Sequence, residues 1–180
     1  MSQFDVLNDD VIMYILEYLN DMDKIRFLSV DLRLHNFINY IWFNEIYDYI
    51  LIKGLPYLDR FKYIKYETNT INIPKRITHL TFGREFDQNI KGCIPNSVTH
   101  LIFGEYFNQD IKDCIPNSVT HLTFGFYFDR NIKDCIRVRI HAERIALRCI
   151  PDSVIHLTLN RQFYRRKKKY IDKNIQISLK

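Results

Sequence analysis

His79, His100 and His121 stand 21 residues apart, and His156 follows in a similar setting. Cys93, Cys114 and Cys135 keep the same interval, with Cys149 after them. Imidazole and thiolate are zinc ligands, and imidazole is the usual acid or base near neutral pH. Repetition alone makes neither kind of site. A zinc centre needs four ligands converging tetrahedrally. A residue repeated at a fixed interval instead sits once per turn of a repeating structure, with its side chains parallel. The histidines therefore read as a column on one face, hydrogen-bonded or solvated. The cysteines lack C-x-x-C spacing and read as small residues in core or corner packing, although adjacent turns would bring Cys93 and Cys114 within disulfide reach. With five Gly in the chain, no Gly-rich phosphate loop appears, and neither a paired-carboxylate motif nor a nucleophile elbow is present. No catalytic residue, metal ligand or cofactor is expected, and the chain is not expected to be an enzyme.

The interval extends well beyond His and Cys. Pro74, Pro95 and Pro116 keep it, as do Gly83, Gly104 and Gly125, Phe86, Phe107 and Phe128, and Ile90, Ile111 and Ile132. Each unit reads as turn, strand, turn and return. Ile-Pro-Asn-Ser is turn chemistry, Val-Thr-His-Leu-Thr-Phe is a short β-branched and apolar strand, and Gly allows a corner with φ > 0. Strands are predicted near 78–82, 99–103 and 120–124. Val98, Leu101 and Phe103 follow the L-x-x-L-x-L spacing of leucine-rich repeats, which turns Leu101 and Phe103 inward and His100 and Ile102 outward. One unit of this length cannot bury its apolar side. Stacked units can, with parallel strands about 4.8 Å apart. The fourth unit, 136–149, lacks the pattern and predicts a short helix or kinked turn. Residues 150–165 restore the pattern in part, with Asn160 in the Gly place, and 166–180 form a basic tail.

Charge is unevenly spread. The chain of 180 residues carries a net charge of +5. Residues 1–72 are net acidic, 73–180 are basic, and the last twenty hold 8 basic residues against 1 acidic. No segment has the roughly 18 uncharged apolar residues of a membrane span, and the acidic N-terminus does not read as a signal peptide. An intracellular, cytoplasmic setting with four free thiols is expected, with the nucleus open through "RRKKK". That run is also a candidate phosphate contact, but nucleic acid is not the expected partner.

Residues 5–42 change period. Asn8 or Asp9 caps a predicted helix in which Ile12, Ile15, Leu16 and Leu19 form one stripe. After "NDMD", Ile25 and Leu28 mark a second helix, and Leu34, Phe37, Ile38 and Ile41 a third. "FNEIYDYILIKG" and "PYLDRFKYIKYE" predict two further helices connecting this module to the repeats.

"IPNSVTHLTFGFYFDRNI" and "IPNSVTHLIFGEYFNQDI" resemble FNIP repeats, a short leucine-rich-repeat-like family. "LNDDVIMYILEYLNDMDKIRFLSV" resembles an F-box: Leu7, Ile15, Leu16, Leu19, Asp23, Ile25, Phe27 and Val30 fall in place, while Asn8, Lys24 and Leu34 depart from the family pattern. Proteins pairing the two modules occur in giant viruses of amoebae. The resemblance implies an α+β chain: a three-helix F-box-like module at 1–45, a helical connector at 46–72, and a β-solenoid of FNIP repeats at 73–165, with units near 73–93, 94–114 and 115–135. It further implies an adaptor. Leu7, Ile15, Leu16, Leu19, Ile25 and Val30 would contact the Skp-type linker subunit of a host cullin ubiquitin ligase. The outward strand residues His79, Thr81, His100, Ile102, His121, Thr123, His156 and Thr158 would hold an unidentified protein substrate, with no membrane partner. The alternative is an interaction protein outside any ligase, in which the helical module only caps the solenoid.

Overall fold

The computed structural model describes residues 7–132 and 149–180. They form an α+β fold in two compact units divided between Ile64 and Lys65.

In the first unit three short helices follow in close succession: α1 (Asp9–Tyr18), α2 (Asp21–Leu28) and α3 (Leu32–His35), the last running into a 3₁₀ turn, Asn36–Asn39. Each opens on an Asx side chain that accepts a backbone N–H of the first turn. Asn8 takes Val11 N–H, Asn20 takes Asp23 N–H and Asp31 takes Leu34 N–H; such caps fix where a short helix begins. Ile12, Leu16, Leu28, Leu34, Phe37 and Ile38 make the core.

The connector departs from the expected pair of helices. Residues Phe43–Asp48 are a strand, β1, followed by a single helical turn, α4 (Tyr49–Ile52); Phe61–Thr68 is a second strand, β2. Aromatic pairing explains the difference. Phe43 stacks on Phe61 at 4.8 Å and Tyr47 meets the same ring edge-on at 4.8 Å, and cross-strand aromatic pairs of this kind stabilise strands.

Lys24, where the F-box resemblance calls for an apolar residue, is buried. Its ammonium donates to Trp42 O at 3.2 Å and lies 3.4 Å from Asp21 Oδ1. Asp21 Oδ2 in turn accepts Glu45 N–H at 2.7 Å and Tyr47 O–H at 3.3 Å. Burial, and then the Asp21 charge, push the Tyr47 phenol well above its usual range. The charge at position 24 is thus absorbed by a buried, fully engaged pair.

The second unit is a parallel ladder in chain order. Residues Lys65–Thr68 of β2 pair with β3 (His79–Phe82), β3 with β4 (His100–Ile102), β4 with β5 (His121–Thr123), β5 with β6 (His156–Leu159), and β6 with β7 (Gln176–Leu179). The register puts like on like: Leu80, Leu101, Leu122 and Leu157 lie side by side and buried. Two columns of stacked phenyl rings fill the interior beside them. One is Phe82, Phe103 and Phe124; the other is Phe86, Phe107 and Phe128, with rings of the two columns 4.0 Å apart within each unit. The residue after each second-column Phe ties neighbouring units. Asp87 accepts Asn108 N–H at 2.8 Å, and Asn108 accepts Asp129 N–H at 3.0 Å.

The repeated glycines serve closeness rather than a left-handed corner. Positive φ occurs instead at Gly92 and at Asp113, one unit on, and at Arg76. A Cβ on Gly104 would lie 1.9 Å from Gly83 O, and one on Gly125 the same distance from Gly104 O. Successive turns therefore touch backbone to backbone at this place.

The basic tail is likewise folded. Asn160 caps α5 (Arg161–Lys167) by accepting Phe163 N–H, and its amide donates to Phe126 O at 2.6 Å. A 3₁₀ turn, Lys168–Tyr170, leads to β7, which pairs with β6. Leu159 and Phe163 are buried, and Ile177 is half-buried beside Leu157. Cys93 and Cys114 are free, but Cys149 is buried and disulfide-bonded. The expectation of four free thiols therefore fails at Cys149. Cys135 and the helix or kinked turn expected from Ile136 lie outside the described residues.

Candidate functional site

The strand alternation of the second unit sends Leu inward and its two neighbours outward, so equivalent side chains line up across the ladder. One row runs Lys65, His79, His100, His121, His156 and Gln176; the next runs Glu67, Thr81, Ile102, Thr123, Thr158 and Ser178. All eight outward residues expected from the sequence are brought together on this surface. The histidines are half-buried, and Ile102 is 42% exposed.

The imidazoles are stacked nearly parallel. Ring centroids are 4.1 Å apart for His79 and His100, 4.1 Å for His100 and His121, and 4.4 Å for His121 and His156. In each of the first three, Nδ1 lies within 3.0 Å of the hydroxyl of the preceding threonine: Thr78, Thr99 or Thr120. The rings point the same way rather than toward a common centre. Among the described residues no group of three or more His, Cys, Asp or Glu side chains is placed to hold a metal ion.

Burial in this column also governs titration. Burial, and then neighbouring imidazoles, push His100 down to about 4 from 6.5. His79 and His121 are lowered for the same reasons, burial first. Between these pH values the unfolded chain binds more protons than the folded one, so stability rises with pH there. It is complete above about 6.5 and is lost as pH falls toward 4. The melting temperature is therefore expected to fall across this window, and His100→Gln to blunt the fall. Parallel curves for the two chains would remove the histidines from the effect.

The six residues expected to dock a linker subunit are divided by the structure. Leu16 is buried in the core of the first unit and has no face to offer. Leu7, Ile15, Leu19 and Ile25 are half-buried, and Val30 is exposed. A larger apolar surface on α1 escaped the sequence reading. Val11, Tyr14 and Tyr18 are exposed, Tyr18 by 74%, with the two tyrosine rings 4.9 Å apart. Their spacing of three and four also fits a helix, but the Ile12–Leu16 stripe drew the assignment to the other side.

Comparison with known proteins agrees with this geometry. The FNIP repeat family model matches residues 69–106, 86–127 and 107–138. A protein of Acanthamoeba polyphaga mimivirus named a putative F-box protein is 39% identical over 87 residues, which are 48% of this chain and 32% of the relative. A second, also named a putative F-box protein, is 39% identical over 87 residues, 48% of this chain and 35% of its own. A third, named a putative F-box and FNIP repeat-containing protein, is 36% identical over 66 residues, 37% of this chain and 22% of its own. The chain spans about a third of the length of the first two relatives. No solved structure matches. No helix among the described residues is long and apolar enough to cross a membrane. Residues 69–138 thus match FNIP repeats, and the chain is similar over part of its length to a mimivirus protein named for both F-box and FNIP repeats.

Proposed function

We propose that the chain is a substrate-recruiting adaptor of a Skp-cullin-F-box type ubiquitin ligase. In this reading the helices of the first unit are a divergent F-box that docks on the linker subunit of the host ligase. The repeat face holds the target protein, and the chain does no chemistry of its own. The observation that carries the docking half is α1. It is apolar on two sides, with Ile12 and Leu16 buried and Val11, Tyr14 and Tyr18 left in solvent. A helix apolar on both sides calls for a second cover, and burial of that stripe supplies a driving force for association. The names of the viral relatives support the same assignment.

Co-purification with a Skp-type linker subunit tests it. The wild-type chain is expected to bind, and Tyr14→Glu with Tyr18→Glu to abolish binding while the far-ultraviolet circular dichroism stays unchanged. A wild-type chain that binds no such subunit at micromolar concentration overturns the ligase reading. It would leave an interaction protein outside any ligase, the reading favoured by the mimivirus relative named only a putative FNIP repeat-containing protein.

A further inference from the structure

The chemistry of the outer face can be taken one step further by following its hydrogens. Thr99 Oγ1 lies 3.2 Å from Thr78 O and 3.0 Å from His100 Nδ1. Thr120 Oγ1 lies 3.2 Å from Thr99 O and 2.9 Å from His121 Nδ1. A hydroxyl carries one hydrogen, so it cannot supply both contacts. If it donates to the imidazole, it faces the carbonyl oxygen with no hydrogen between them. Both contacts hold a hydrogen only when threonine donates to the carbonyl and the imidazole donates its own Nδ1–H to threonine. The partner of one ring nitrogen decides what the other nitrogen offers.

We propose that Thr99 and Thr120 lock His100 and His121 as Nδ1–H tautomers, so that the outer face offers its target a column of Nε2 lone pairs and selects a segment rich in Arg or Lys. This rests on the reading that the target binds this face. Parallel rings one strand apart place the His100 and His121 acceptors side by side, whereas His156 follows Ile155 and lacks the threonine. The donors that match such a row best are cationic, because charge-assisted hydrogen bonds are the stronger kind. A carboxylate would meet lone pairs and find no N–H from either ring. The same rows carry Lys65 and Glu67 on β2, of opposite sign, and uncharged Gln176 and Ser178 on β7, so the centre of the face is set by the imidazoles. Thr99 and Thr120 are positioning residues that act through the rings.

Nitrogen-15 NMR of the imidazoles in the intact chain at neutral pH tests the tautomer. His100 and His121 are expected to show a protonated Nδ1 and a bare Nε2. Thr99→Val with Thr120→Val should shift both toward Nε2–H, and the two Ser replacements should restore the wild-type pattern. A fluorescent tetra-arginine peptide is expected to bind the wild-type and Ser chains about tenfold more tightly than the Val chain, and a tetra-glutamate peptide to bind none of them. Nε2–H rings in the wild type, tetra-arginine binding indifferent to Val, or a preference for tetra-glutamate each overturn the proposal. Failure to bind a linker subunit leaves these results untouched and rejects the ligase reading alone. Target recruitment unaffected by alanine at His100 and His121 would instead remove the target from this face.

Discussion

Gly104→Ala is expected to dismantle the middle of the repeat ladder, while Gly83→Ala leaves it standing. At Gly104 the new methyl would lie 1.9 Å from Gly83 O and 2.6 Å from Gly83 C. That carbonyl belongs to a backbone held by the strands on either side, so it cannot turn away. Gly125 meets Gly104 O in the same way. At Gly83 the contact is with Asn69 Oδ1, 2.1 Å away but on a side chain free to choose another rotamer. Overpacking against fixed backbone costs about 3 kcal/mol or more, whereas Gly83→Ala should stay within about 1 kcal/mol, helped by the smaller entropy of the unfolded chain. Urea denaturation followed by circular dichroism measures both. Equal losses at the two positions would show that the turns do not touch as described.

A second pair of substitutions, one residue apart, separates inside from outside. Leu101 is wholly buried between Leu80 and Leu122, and Ile102 is 42% exposed. Leu101→Asp removes a core side chain, worth about 3 kcal/mol by itself, and puts a carboxylate among apolar side chains with no partner. The sum approaches the whole stability of an ordinary domain, about 5–15 kcal/mol, so the strand signal should be lost at room temperature. Ile102→Asp should change stability by no more than about 0.5 kcal/mol. The only tryptophan, Trp42, lies in the first unit, so its fluorescence reports that unit separately from the repeat ladder. Leu101→Asp retaining the wild-type melting temperature would reverse the facing of the strand.

The ladder was legible because identical environments demand identical residues. Pro, Leu and Phe recur where turn, core and ring column recur, so the period and the inward and outward sides could be read from the residues alone. The glycines were legible as necessary but not for the right reason. Sequence shows that a side chain is excluded, and only the neighbouring turn shows that a carbonyl excludes it. The connector misled because Phe61, Ile64 and the tyrosines around them satisfy a helix as well as a strand over so short a run. The aromatic partners that decide between the two lie in β1, thirteen or more residues earlier in the chain. The tail was legible mainly as charge: its eight basic residues say nothing of the strand register that sets Ile177 and Leu179 beside Leu157 and Leu159. Lys24 looked like a defect in a helical pattern until Asp21, one turn away, proved to be buried with it.

Asn160 stands where each complete unit has glycine, and it turns the chain into α5 instead of another return. That single place separates the part of the gene that can vary in length from the part that cannot. From β3 to β5, each junction presents the same leucine, the same phenyl columns and the same backbone contact. A duplicated or deleted cassette of 21 codons would therefore create a junction equivalent to those already there. Downstream, Asn160 bonds to Phe126 O and, among the described residues, β7 pairs only with β6, so this segment must travel as one piece. Unequal recombination within the array would lengthen or shorten the outer face one histidine at a time without altering the segment after Asn160.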